Sequence, residues 1–111
     1  MILLGLTQIS GSFPITNNEK GTIFARIPLN ACQPASLVVR NTDAAAIVSI
    51  KVVKKNQGGK VSATDRGISL NPGESNDWNG SPPRNCDLIA ISTVNNSLLD
   101  VDGNWALSED V

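Results

Sequence analysis

Leu37-Val38-Val39-Arg40-Asn41-Thr42-Asp43-Ala44-Ala45-Ala46-Ile47-Val48-Ser49-Ile50-Lys51-Val52-Val53 decides the fold reading of this chain. Two runs rich in β-branched residues flank a joint of Asn, Thr, Asp and small side chains. In the second run Val48, Ile50 and Val52 share one face, while Ser49, Lys51 and Val53 share the other. That period of two marks a strand with one buried side. Ala44-Ala45-Ala46 is the most helix-friendly piece of the chain, but it follows turn residues and enters a β-branched run, so it reads as a turn.

Working outward, candidate strands are Ile2–Ile9, Thr22–Ile27, Ser36–Thr42, Ile47–Lys54, Gly67–Leu70, Ser75–Trp78 and Asp87–Val94, with a last pair around Leu98–Val101 and Asn104–Leu107. In Asp87–Val94, Ile89 and Ile91 point one way and Leu88, Ala90 and Ser92 the other. Asn56-Gln57-Gly58-Gly59 is expected to close a hairpin, and Asp102-Gly103 reads as a tight turn where glycine tolerates positive φ. Asn71-Pro72-Gly73-Glu74 places proline and glycine at the two central positions of a turn. Ser81-Pro82-Pro83-Arg84 reads as irregular, because two adjacent prolines cannot donate to a ladder. Short strands punctuated in this way predict an all-β fold, a single antiparallel β-sandwich of about eight strands, Ig-like or jelly-roll-like.

The chain has 111 residues, a length expected of one domain (residues 1–111) with a modest core. Phe13, Phe24, Trp78 and Trp105 are its only aromatic residues, so aliphatic side chains must fill that core. Nine basic and ten acidic residues leave a net charge of −1. Lys51, Lys54, Lys55 and Lys60 form a basic cluster without an aromatic neighbour, which disfavours nucleic acid as a partner. Met1-Ile2-Leu3-Leu4-Gly5-Leu6 is apolar but lacks a basic start and is soon interrupted by Thr7 and Gln8. It is therefore read neither as a leader nor as a membrane span, and no membrane partner is expected. Residues 1–12 are instead expected to be an N-terminal arm or an edge strand, with Ile2, Leu4 and Leu6 as interface candidates.

The absence of histidine narrows the chemistry. Cys32 and Cys86 are too few for a structural zinc site, and neither has a histidine to activate it. A disulfide between them and two separate buried thiols both remain open. Asp100-Val101-Asp102-Gly103-Asn104 places oxygen atoms at alternate positions, as calcium loops do, but the remaining ligands of such a loop are missing, and a hairpin turn is the preferred reading. Asp43, Asp65, Asp77 and Asp87 show no spacing that singles out a catalytic pair. No enzyme activity, cofactor or metal is expected. Trp78 is left open between core and interface, Trp105 is assigned to the core, and Asn79, Pro82 and Pro83 join Trp78 as interface candidates on the 76–85 loop.

Asn41-Thr42, Leu70-Asn71-Pro72-Gly73-Glu74-Ser75, Trp78-Asn79-Gly80 and Asp87-Leu88-Ile89-Ala90 follow one another in a cadence that resembles small β-sandwich virion proteins of tailed bacteriophages. The resemblance covers about the middle half of the chain. It implies a non-enzymatic virion structural protein, made in the host cytoplasm and residing at the capsid surface. A capsid cement (decoration) protein is the leading form, binding the major capsid protein as a homotrimer. A neck or tail attachment component is the alternative. The Cys32/Cys86 pair and the acidic ending Leu107-Ser108-Glu109-Asp110-Val111 depart from that pattern. A carbohydrate-binding module stacking sugar on Trp78, flanked by Asn76, Asp77 and Asn79, is the rival from another class.

Overall fold

The computed structural model describes residues 3–55, 61–79 and 84–108. The chain runs through β1 (Leu3–Ile15), β2 (Thr22–Ile27), β3 (Ala31–Asn41), β4 (Val48–Lys55), β5 (Val61–Leu70), β6 (Ser75–Asn79), β7 (Cys86–Ser92) and β8 (Ser97–Ser108). They form two four-stranded sheets, ordered β1-β8-β3-β6 and β2-β7-β4-β5. Every strand pair is antiparallel. The chain changes sheet at each connection except β4 to β5, which is the strand order of an eight-stranded jelly roll rather than an Ig-like sandwich.

Alternation in the sequence explains which side of each strand turns inward. Along β7, Cys86, Leu88, Ala90 and Ser92 are buried while Asp87, Ile89 and Ile91 are only half-buried. On β4, beside β7 in the same sheet, Val48, Ile50 and Val52 extend that buried layer. Ile15, Val39 and Leu99 complete the centre from the other sheet, and Phe24 and Trp105 are buried at its periphery. Each fully buried branched side chain contributes roughly 1.5–3 kcal/mol of transfer free energy, so aliphatic interdigitation holds the sheets together.

One buried polar side chain ties the loops to this core. Asn41, at the end of β3, is wholly buried. Its Nδ2 donates to the carbonyls of Ala46 at 2.8 Å and Leu70 at 3.0 Å, and its Oδ1 accepts from the Asp43 amide at 3.1 Å. Its backbone also exchanges hydrogen bonds with the next turn, donating to the Glu74 carbonyl and accepting from the Gly73 amide. The Asn41-Thr42 joint and the Asn71–Glu74 turn are therefore one hydrogen-bonded unit. Within that turn the Glu74 amide donates to the Asn71 carbonyl at 2.9 Å and Gly73 has φ +81°, the conformation the Pro-Gly pair predicts.

Several strands depart from their expected limits. The turn expected at Asp102-Gly103 is absent, because β8 runs unbroken from Ser97 to Ser108. Gly103 serves close packing instead: a Cβ there would lie 2.6 Å from Leu37 Cδ1 and 3.1 Å from the Ser36 carbonyl. β1 continues past Ile9 to Ile15, β3 begins at Ala31, and β5 begins at Val61 rather than Gly67. The expected hairpin at Asn56-Gln57-Gly58-Gly59 lies outside the described residues, between strands whose last paired positions are Lys55 and Val61.

Candidate interaction surfaces

The strand order places the N-terminal segment at a sheet margin. Among the described residues β1 pairs with β8 on one side and with no strand on the other, so residues 3–12 belong to an edge strand rather than a free arm. Leu6 lies in it, 56% exposed. Of the other interface candidates, Ile2, Pro82 and Pro83 lie outside the described residues. Leu4, Trp78 and Asn79 are placed by backbone alone: Leu4 on β1, with Trp78 and Asn79 on β6 opposite Leu37 and Ser36 of β3. Sequence position groups the candidates into two clusters, and the topology sets their described members at opposite edges of the same sheet.

The strands of the two sheets differ in charge content. Strands of the β1-β8-β3-β6 sheet carry Arg40 against Asp77, Asp100 and Asp102. Strands of the β2-β7-β4-β5 sheet carry Arg26, Lys51, Lys54, Lys55 and Arg66 against Asp65 and Asp87. The near-neutral total conceals a sheet with mainly acidic strands, the acidic side, and a sheet with mainly basic strands, the basic side. The composition gives no sign of this, because the segregation exists only once the strands are sorted into sheets.

The basic side also carries apolar area. Ile23 on β2, Ile89 on β7 and Lys51 on β4 stand in one cross-strand row, and Ile91 follows in the next row opposite Ser49. Ile23 is 42% exposed. Gly21 packs beneath the isoleucines, where a Cβ would come within 2.6 Å of Ile89 Cγ2 and 2.7 Å of Ile91 Cγ1. At the end of the same face Arg26 Nε stands 3.9 Å from Asp87 Oδ1, beside a shallow cleft of about 170 Å³ lined by Arg26, Ile27, Pro28, Asn85, Cys86 and Asp87. Pockets for drug-sized ligands span roughly 300–1,000 Å³. The cleft is too small and open to enclose such a molecule.

On the acidic side Asp100, Asp102 and Asn104 alternate along the outer face of β8. Same-face side chains on an extended strand stand about 6–7 Å apart, so this backbone does not wrap oxygen atoms around one cation. Ser12 Oγ donates to Asp100 Oδ1 across the β1–β8 pair. Among the described residues no three His, Cys, Asp or Glu side chains cluster as a metal site. Asp43 lies in a loop, Asp65 on β5, Asp77 on β6 and Asp87 on β7, so the four carboxylates are spread over both sheets. Asp43 Oδ1 accepts from the amides of Ala45 and Ala46, both at 2.9 Å, and these bonds hold its carboxyl below the ordinary value.

Cys32 stands on β3 and Cys86 on β7, in different sheets, and the Cys86 thiol is buried. Trp105 is 4% exposed in the core. Among the described residues no helix is long and apolar enough to cross a membrane. No family model, curated protein or solved structure matches the chain.

Proposed function

We propose that this chain is a non-enzymatic structural protein of a bacteriophage particle, a capsid cement protein that binds the major capsid protein and stabilises the head shell. The observation that carries this reading is the strand order of the two sheets, the double-Greek-key jelly roll that recurs in viral capsid domains. Lectin domains and cupins use the same architecture, so fold alone does not choose among them. The sequence cadence at Asn41-Thr42, Leu70–Ser75 and Asp87–Ala90 favours the virion reading.

The basic side of the sandwich is the proposed shell-facing surface. Its isoleucine row supplies apolar contact, and Lys51 and Arg26 set orientation against a carboxylate-bearing partner. A ligand that binds only the assembled shell stabilises it by mass action, and many weak contacts repeated by symmetry suffice.

Co-sedimentation of the purified chain with its own capsids tests the proposal. Binding that is lost in Lys51→Glu and Ile89→Asp variants supports it, and failure to bind shells at any stage of maturation overturns it. Copy number separates cement from a neck or tail attachment component, since a shell lattice takes many copies and a connector ring takes few.

A further inference from the structure

The two sheets have four edge strands, and three of them carry features that discourage pairing with another chain. β6 has 5 residues and includes Asp77. β2 has 6 residues, carries Arg26 and has a register shift between Ile23 and Ala25. β5 carries Asp65 and Arg66, and its register with β4 shifts twice. β1 differs in length and charge. It has 13 residues, it contains no Asp, Glu, Lys or Arg, and after one shift between Leu3 and Gly5 its register with β8 is unbroken to Ile15. Pro14 removes a donor only near its end.

We infer that β1 is an assembly edge, pairing antiparallel with the β1 of a second copy across a two-fold axis to join two four-stranded sheets into one of eight. An isologous contact sets identical surfaces against each other, so it tolerates only an edge that does not repel itself. An uncharged strand meets that condition, whereas a two-fold pairing of β2 or β5 brings like charges together. The nearest acidic side chains, Asp100 and Asp102, stand one strand back on β8. In the paired sheet the two β8 strands are three strand spacings apart, roughly 14 Å, beyond a Debye length of about 8 Å at physiological salt. The open stretch Gly5–Phe13 is centred on Ile9, which sets Gln8 opposite Ser10 of the second copy. Exposed Leu6 then lies inside the contact.

This inference stands on the edge itself and is independent of shell binding. Sedimentation equilibrium of the full chain is expected to give twice the 11.7 kDa chain mass. The double substitution Gln8→Lys with Ser10→Lys, which places lysines directly opposite one another, is expected to weaken association by at least about tenfold. Circular dichroism melting checks that this variant folds. Oxidation of a Gln8→Cys and Ser10→Cys mixture is expected to give a crosslinked dimer that Gln8→Cys alone does not give, because opposed positions fall within disulfide reach. A wild-type chain that stays monomeric, or an oligomer of any size that the lysines leave intact, overturns the inference. Loss of shell binding with dimerisation preserved overturns only the proposed function.

Discussion

Ser92 and Ser97 face each other across the β7–β8 turn with their Oγ atoms 2.5 Å apart in the buried interior. Ser97 Oγ donates to the Val94 carbonyl at 2.7 Å, and Ser92 Oγ accepts from the Val94 amide at 3.1 Å. A hydroxyl has one proton, so Ser92 must be the donor to Ser97. The result is a closed circuit that begins and ends on the backbone of Val94. Replacing either serine by alanine is expected to cost about 1–2 kcal/mol, because each deletion strands a partner. The double substitution is expected to cost less than the sum of the two single ones, which urea unfolding of the four proteins of the cycle measures.

Asn41→Ala is expected to be the most damaging single polar truncation in the described chain. It strands the carbonyls of Ala46 and Leu70 in the buried interior and the amide of Asp43 at a part-buried site. At 1–3 kcal/mol for each group left unsatisfied, the loss is about 3 kcal/mol or more. Asn41→Asp is expected to be no better, since a carboxylate cannot donate to the two carbonyls. Denaturant midpoints of the two variants check both statements.

Two glycines with positive φ are expected to respond differently to alanine. Gly21 has φ +68° and its Cβ would strike Ile89, Ile91 and the Ala90 carbonyl, so Gly21→Ala adds a clash to backbone strain. Gly73 has φ +81° in open space, so Gly73→Ala meets backbone strain alone, about 1–2 kcal/mol. Gly21→Ala is expected to lower the melting temperature more than Gly73→Ala.

Acid lability is expected to depend in part on Asp43. Its folded carboxyl titrates below the ordinary 3.8 because the Ala45 and then the Ala46 amides donate to it. A folded pKa below the unfolded one gives stability that is fully present above 3.8 and is lost as pH falls through the lowered value. Asp43→Asn keeps an accepting oxygen but has no titrating group there. Urea midpoints followed downward from neutral pH are expected to fall more steeply for the wild type than for the variant. Parallel curves refute this assignment.

The sequence was informative wherever alternation met a regular backbone. β4 and β7 were legible because Val48, Ile50 and Val52, and Leu88 and Ala90, occupy every second position and are buried. β8 was misread at Gly103 because glycine signals a turn and a tight packing contact equally well, and only the position of Leu37 distinguishes them. β1 continues beyond the expected Ile9 through Gly11 and Pro14, since an edge strand accommodates both. Asn41 stands in sequence where a strand meets a joint of turn residues; its buried hydrogen bond reaches Leu70, far along the chain. The segregation of Asp100 and Asp102 from Lys51 and Arg26 was invisible for the same reason, since it is a property of sheet membership.

β8 slots between β1 and β3, so the ladder that unites those two strands stays open until Ser97–Ser108 has been made. A nascent chain therefore holds Leu3–Ile15 without that mate until β8 has emerged. Such distant pairings place the refolding time in the millisecond-to-second range, far from the microseconds of a helical bundle. A copy truncated before Ser97 would leave two strand margins bare at once, and aggregation is its expected fate.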